Sequence, residues 1–238
     1  MSKFYKEISK YYDYIFPVKD VKFNLIKEVS GDYPKDILDV ACGSGGYSKK
    51  LRDEGYNITA IDLDENMINK LKEKDSEIDA QVLNMLEIEK LNKKFDTIFC
   101  IGNSLVHLNN DEEIGEFLKS CNNSLKTEGR MLIQIVNYDR VLAKNIKYLP
   151  TIKNKEVNLV FERYYDYLKD KHKIDFSTIL KVEDRKFENN VYLHPIKSKG
   201  MRSLIEKAGF SSIKFYGNFD KGEYEPMKSF PLVIVAEK

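Results

Sequence analysis

The 238-residue sequence has no tryptophan, only three cysteines and almost no excess of charge of either sign. Cys42, Cys100 and Cys121 are odd in number, and none has the close pairing of a zinc knuckle or a dithiol redox motif. No disulfide scaffold and no metal site are expected, and a reducing, cytoplasmic setting is the expectation. With 39 Lys+Arg against 38 Asp+Glu, the net charge is +1. That balance gives no field to hold a phosphate backbone or an anionic bilayer, so neither nucleic acid nor membrane is an expected partner. No apolar stretch approaches the roughly 20 residues of a membrane span, and residues 1–14 are charged and aromatic rather than signal-like. Repeats, low-complexity tracts and Pro/Ser-rich linkers are also missing. One α/β unit of this length buries about 70–75% of its unfolded surface, enough for one core.

What is present is an alternation of short apolar runs with helical patterns. Residues 37–41 are apolar and end in a glycine-rich turn; a helical pattern through Leu51, closed by Gly55, follows. Further strands are expected over 58–61, 80–83, 95–101 and 131–136, and helices over 64–74 and 111–125. Asp111 caps the second of these, with Glu112 and Glu113 in its first turn, and residues 127–129 end it. This alternation predicts a parallel sheet. From about 157 to 193 the texture changes to VNLVFERYYDYL, KIDFSTILKV and RKFENNVYLH, which suit antiparallel strands. Helical spacing returns over 199–208 with Gly209 as its C-cap, before strands over 212–216 and 231–236. The expected organisation is a single domain over 1–238: a helical lid over 1–35, a core over 36–150, a β-rich insertion over 151–196 on the substrate side, and a last helix and two strands over 197–238.

Ligands of open parallel sheets bind beyond the carboxyl ends of the strands. The residues there are Asp39-Val-Ala-Cys-Gly43-Ser-Gly45-Gly46, Asp62, Asn84-Met85 and Gly102-Asn103-Ser104. Glycines let a ligand pack against main chain, and the helix starting near Tyr47 offers free N–H groups. A dinucleotide fingerprint starting at Gly43, like a P-loop, needs glycine at position 48, which is Ser48. Asp39 repels a pyrophosphate but suits a ligand carrying an ammonium and a sulfonium. Asp62 can accept both hydroxyls of a ribose, Asn84 can bond an adenine edge, and Leu63 and Met85 can sandwich the ring. Together these are the demands of S-adenosylmethionine, whose product is S-adenosylhomocysteine.

In ILDVACGSGGYS and AIDLDENMI the chain resembles the class I S-adenosylmethionine-dependent methyltransferases over nearly its whole length. CIGNSLVHL and NYDRVL are similar to the corresponding stretches of glycine N-methyltransferases and related small-molecule N-methyltransferases. The resemblance implies an α/β, Rossmann-like fold: a seven-stranded, mostly parallel sheet with one antiparallel strand and helices on both faces, with the small antiparallel insertion after the fifth strand. It also implies that Asp62 holds the ribose, Asn84 and Met85 the adenine, Asp39 and the glycine loop the amino acid part, and Ile101 the methionine main chain. The candidate cofactor-contacting set is Tyr14, Asp39, Ala41, Cys42, Gly43, Gly45, Asp62, Leu63, Met67, Asn84, Met85, Leu86, Cys100 and Ile101.

Asn103, Asn137 and His107 are the candidates to act on the acceptor. His107 suits either a general base or a hydrogen-bonded tie for the N-terminal segment. Tyr11, Tyr12 and Tyr14 of SKYYDYIF suit either a lid over the cofactor or plain helix packing. His172 and His194 read as loop residues. In the glycine enzymes an arginine precedes the NYD triplet and grips the substrate carboxylate; here that residue is Val136. Glycine is thereby disfavoured, and Arg140 or Arg163 is left to serve another anionic acceptor. The expected activity is methylation of a small-molecule amine nitrogen by a monomer or homodimer. The alternatives are O-methylation and a non-catalytic cofactor-binding protein.

Overall fold

The structure is a computed structural model that describes residues 3–238, with side chains described from Ile8 onward. Two helices, α1 (Lys3–Ile15) and α2 (Asp20–Ser30), precede β1 (Asp36–Val40), α3 (Gly46–Asp53), β2 (Asn57–Asp62), α4 (Glu65–Lys74) and β3 (Asp79–Val82). The chain continues through β4 (Phe95–Cys100), α5 (Asp111–Ser124), β5 (Leu125–Val136) and α6 (Tyr138–Ala143). After these come β6 (Tyr148–Asn154), β7 (Leu159–Leu168), β8 (Lys173–Val182), β9 (Arg185–Leu193), α7 (Ser198–Lys207), β10 (Ser211–Tyr216) and β11 (Pro231–Glu237).

The main sheet has seven strands in the order β10-β11-β5-β4-β1-β2-β3. β1 pairs in parallel with both β2 and β4, and β11 runs antiparallel to β5 and β10. The central strands are apolar on both faces because helices cover both. Leu38 and Val40 point into the core under α5 and α7, while Ile37 points into the core under α2, α3 and α4. The same alternation puts Ile98 and Cys100 of β4 on the first side and Phe99 on the second. Strand order reverses beside β1, and the crevice above that reversal is where a doubly wound sheet receives a ligand.

The second sheet is a four-stranded antiparallel meander, β6-β7-β8-β9. Tyr165, Ile174 and Leu193 join its inner face to the main core, whereas Leu159, Phe161, Leu180 and Val182 pack with Ile8, Tyr11 and Ile15 of α1 and with Met67 of α4. It therefore bridges from the ends of the main sheet to the N-terminal helix.

Two local expectations change. Asn110, not Asp111, caps α5, its side chain accepting from the Glu113 N–H at 2.9 Å. Residues 127–129 do not end α5; the helix stops at Ser124, and the triplet lies inside β5. There Glu128 takes a φ of 61° and the pairing with β4 shifts register, so the chemistry of a turn produces a bulge. NYDRVL starts a short helix, α6, because the Asn137 side chain caps it by accepting from the Arg140 N–H at 3.2 Å. Among the described residues no helix is long and apolar enough to cross a membrane.

Candidate active site

β1 leaves the sheet through left-handed residues: Ala41 has φ 57°, Gly43 φ 56° and Gly45 φ 73°. Ala41 is the only one with a Cβ, and left-handed backbone at such a residue collects at functional sites. The Cys42 N–H donates to the Ile61 carbonyl at 3.0 Å, tying the loop to β2. A Cβ on Gly45 would lie 2.2 Å from Leu71 of α4, and one on Gly43 would lie 2.6 Å from the Tyr12 hydroxyl. Close approach by two helices thus requires both glycines.

Two carboxylates flank this loop. Asp39 is 3% exposed and accepts from the Ser48 hydroxyl at 2.6 Å. Asp62 accepts from the Gly43 N–H and from the Asp64 N–H, each at 2.9 Å, so both of its oxygens are pinned while keeping free lone pairs. Burial pushes the Asp39 carboxyl up to about 7, against the pull of the Ser48 hydroxyl, and the charge of Asp62 adds to the rise. Burial also raises Asp62, opposed by its backbone donors. Among the described residues neither carboxylate has an ion-pair partner. One buried and one half-buried carboxylate with no cation beside them favour a cationic ligand.

The lid tyrosine that reaches the loop is Tyr12, not Tyr14. Tyr14 is 42% exposed, and its carbonyl accepts from Asn154 at 3.3 Å. Two residues along a helix turn the side chain by about 200°, so Tyr12 and Tyr14 cannot face the same wall. Burial raises the Tyr12 hydroxyl, and Asp62, Cys42 and Asp39 reinforce the shift, so Tyr12 stays protonated as a donor beside these groups. Next to it, Asp13 accepts from the Ser44 hydroxyl and pairs with Lys74 at 2.7 Å. Lys74 also donates to the Ser44 carbonyl at 2.9 Å. Residues 13, 44 and 74 fasten α1 to the glycine loop.

Beyond β2 and β3, Leu63 is 69% exposed and Met67 is buried, while Met85 and Leu86 pack half-buried against the core. The Asn84 oxygen accepts from the Leu86 N–H at 3.0 Å and caps a 3-10 turn over Met85–Leu91. The Leu83 N–H donates to the Asp62 carbonyl at 3.0 Å, holding the two strand ends together.

The turn after β4 is more tightly built than its sequence suggests. Cys100 is buried and Ile101 half-buried. Gly102 and Asn103 have φ 91° and 73°, and Gln134 of β5 spans both: its side chain accepts from the Gly102 N–H at 3.0 Å and its carbonyl from the Asn103 N–H at 3.2 Å. The Asn103 oxygen accepts from the Val136 N–H at 2.8 Å, and its amide donates to the Tyr138 hydroxyl at 3.1 Å. Asn103 is thus held in one orientation. His107 follows on the same turn and is exposed, while the surrounding protein lowers its pKa by desolvation. That desolvation favours the neutral imidazole.

Asn137 does not fit the role of acting on an acceptor. It is 0% exposed; its amide donates to the Pro226 and Ser229 carbonyls at 2.9 and 2.8 Å, and its oxygen accepts from Tyr224 and Arg140. Its hydrogen-bonding capacity is consumed in pinning the segment before β11 to the end of β5. His194 bonds Asp111 at 2.7 Å and His172 bonds Tyr167 at 3.0 Å, each a local tie. Tyr12, offered by the sequence only as one of three lid tyrosines, joins the region, as do Gln134, Tyr138 and Tyr165, which were not singled out for it. Gln134 alone left a trace, as the one polar residue in the apolar run MLIQIV.

A seven-stranded, doubly wound sheet with a glycine turn after β1 and acidic residues at the ends of β1 and β2 defines the Rossmann-like methyltransferase class. Residues 37–129 match the methyltransferase domain family. The chain is 26% identical over 223 residues to a glycine/sarcosine N-methyltransferase of Aphanothece halophytica, covering 90% of this chain and 80% of that protein. It is 31% identical over 137 residues to the glycine N-methyltransferase of Oryctolagus cuniculus, covering 47% of this chain and 46% of that one. An S-adenosylmethionine-dependent methyltransferase from Clostridium acetobutylicum shares the fold with a TM-score of 0.82 at 16% identity, over 98% of both chains. With a methyltransferase domain over residues 37–129 and these relatives, the protein is an S-adenosylmethionine-dependent methyltransferase, with S-adenosylmethionine as its methyl donor.

Proposed function

We propose that the enzyme transfers a methyl group to an amine nitrogen of a small molecule, and that the glycine loop, Asp39, Asp62 and Asn84 form its cofactor seat. The observation that carries the seat is the pair of carboxylates beside Gly43, Asp39 buried and Asp62 half-buried, without a cationic partner among the described residues. S-adenosylmethionine supplies an electrophilic methyl on a sulfonium and carries an ammonium; the acidic ends of β1 and β2 suit both. In this reading Asp39 and the loop take the amino acid part. Asp62 offers its free lone pairs to the ribose hydroxyls, Asn84 and Met85 take the adenine with Leu63 over its face, and Ile101 lines the methionine chain.

Such a transfer asks the protein to align the acceptor and exclude water, without a covalent nucleophile. Asn103, fixed by Val136 and Tyr138, orients the acceptor nitrogen. His107, kept neutral by desolvation, is positioned to take the proton that an ammonium loses before it reacts. The names of the curated relatives favour nitrogen over oxygen as the acceptor atom. Residues 148–193 belong in this reading to the same domain as a cover over the acceptor. The balanced charge of the chain supports a reading with no nucleic-acid partner.

The test is release of S-adenosylhomocysteine from S-adenosylmethionine with matched panels of small amines and alcohols. Turnover confined to amines supports the assignment. Turnover confined to alcohols replaces it with O-methylation, and cofactor binding with no turnover on either panel rejects methyl transfer to both.

A further inference from the structure

Both sheets are open, and three of their four edges are blunted. In the main sheet β3 is only four residues long, and β10 breaks register with β11 between Ser211 and Lys214. In the second sheet β6 carries Pro150 and a register shift between Leu149 and Ile152. Short strands, prolines and bulges each stop an edge from pairing with another chain. β9 has none of these: its nine residues contain no proline or glycine and stay in register with β8 throughout. No strand lies on its outer side, and among the described residues no main-chain hydrogen bond reaches that side.

The turn before β9 fixes which groups point outward. Glu183 and Asp184 are both left-handed, with φ 50° and 58°, and form a two-residue turn that closes on the Val182–Arg185 pair. Hydrogen-bonded and non-bonded pairs alternate from there, so the odd-numbered residues of β9 direct their main-chain groups at β8. The Asn189 carbonyl is on that side, accepting from the Thr178 hydroxyl at 3.5 Å. Lys186, Glu188, Asn190 and Tyr192 turn their N–H and C=O groups outward, and all four residues are exposed. Phe187 and Val191 lie on the inner face and are only half-buried, the first against the cluster under α1 and the second against the main core.

We propose that β9 is a dimerisation edge whose occupant is β9 of a second copy, antiparallel across a two-fold axis at Asn189, so that the two meanders join into one eight-stranded sheet. A two-fold contact must be complementary to itself, and this strand is. An axis at Asn189 overlaps the strand over its whole length, and every outward N–H and C=O over 186–192 finds a partner. On the inner face Phe187 meets Val191 of the second copy, and Val191 meets its Phe187, in the close, non-bonded type of pair that brings apolar side chains together. On the outer face Lys186 lies opposite Tyr192 and Glu188 opposite Asn190, so no like charges meet. Lys186 is paired with Glu188 of its own chain, which removes the repulsion that a lone lysine gives an edge.

The experiment is sedimentation velocity of the full chain over a micromolar concentration series, with two variants. The native protein is expected to sediment as a dimer. Glu188→Pro deletes one outward N–H without touching the ladder to β8, and should weaken the dimer on the order of a hundredfold while circular dichroism and the affinity for S-adenosylhomocysteine stay unchanged. Asn189→Cys sets two thiols at the axis with Cα atoms about 4.5 Å apart, within disulfide reach, so mild oxidation should link the dimer. The native chain and Lys186→Cys should stay unlinked under the same oxidation. If Glu188→Pro does not fold, the link at position 189 decides alone. A monomer at every concentration leaves the edge to an extended segment of another protein and overturns the second-copy assignment. A dimer that Glu188→Pro leaves as tight as before, or in which Asn189→Cys fails to link, places the interface elsewhere and overturns it equally.

Discussion

Asp39 links cofactor binding, folding and pH in a way that one isosteric substitution exposes. Its carboxyl sits up to about 7 in the folded protein, from an ordinary value of 3.8, because it is buried with only the Ser48 hydroxyl to satisfy it. Between those two values the folded chain holds a proton that the unfolded chain has released. For this group, therefore, stability is full below about pH 4, falls as pH rises towards 7, and is flat above. Three pH units at about 1.4 kcal/mol each amount to as much as about 4 kcal/mol lost by pH 8 in the absence of ligand. Asp39→Asn keeps the shape and the Ser48 hydrogen bond but cannot ionise. The variant should match the native protein near pH 4.5 and exceed it at pH 8 by up to that amount, raising the melting temperature by about 8–16 °C. Urea unfolding of both proteins from pH 4.5 to 8, read as a difference so that other titrating groups cancel, gives the curve directly. Cofactor affinity should move the opposite way. A cationic ligand binds the ionised form, so the native affinity should fall about tenfold per unit as pH drops below 7, and the variant should bind weakly at every pH. A variant no more stable than native at pH 8, or a flat difference curve, would refute the buried-charge argument.

Three further outcomes follow from single contacts. Asn137→Ala strips partners from the Pro226 and Ser229 carbonyls and should cost about 2–5 kcal/mol in denaturant unfolding; a loss under 1 kcal/mol would mean the segment before β11 is held otherwise. Gly45→Ala sets a methyl against Leu71 at a left-handed position and should lower the melting temperature and cofactor affinity together, with Leu71→Ala recovering part of both; no recovery in the double variant would move the cause to the backbone alone. Lys74→Met releases Asp13 and should make α1 more susceptible to limited proteolysis, but by only a few-fold, since a half-exposed pair is worth less than about 1 kcal/mol.

The parts of this site that follow from neighbouring residues were legible in the sequence. ILDVACGSGGYS and AIDLDENMI each carry a strand, a turn and an acid within a dozen residues, so the phase of the apolar run fixes where Asp39 and Asp62 emerge. The three alternating stretches after Val157 likewise declare β7, β8 and β9. What escaped depends on partners far along the chain. Tyr12 rather than Tyr14 meets the loop because of the phase at which α1 docks, which the contacts of Ile8, Tyr11 and Ile15 with the second sheet decide. Asn137 looked available because its partners, Pro226 and Ser229, lie about ninety residues away. β6 escaped because YLPTIKN contains a proline and little alternation, and it pairs through a bulge between Leu149 and Ile152.

The central claim, that Asp39 and Asp62 build the cofactor seat, is tested most directly by calorimetric titration of S-adenosylmethionine and S-adenosylhomocysteine into the native protein and into Asp62→Ala. Micromolar binding of both ligands to the native protein, lost in an Asp62→Ala variant that still melts cooperatively, is the predicted result. Undiminished binding to that variant would contradict the account and move the seat away from the ends of β1 and β2.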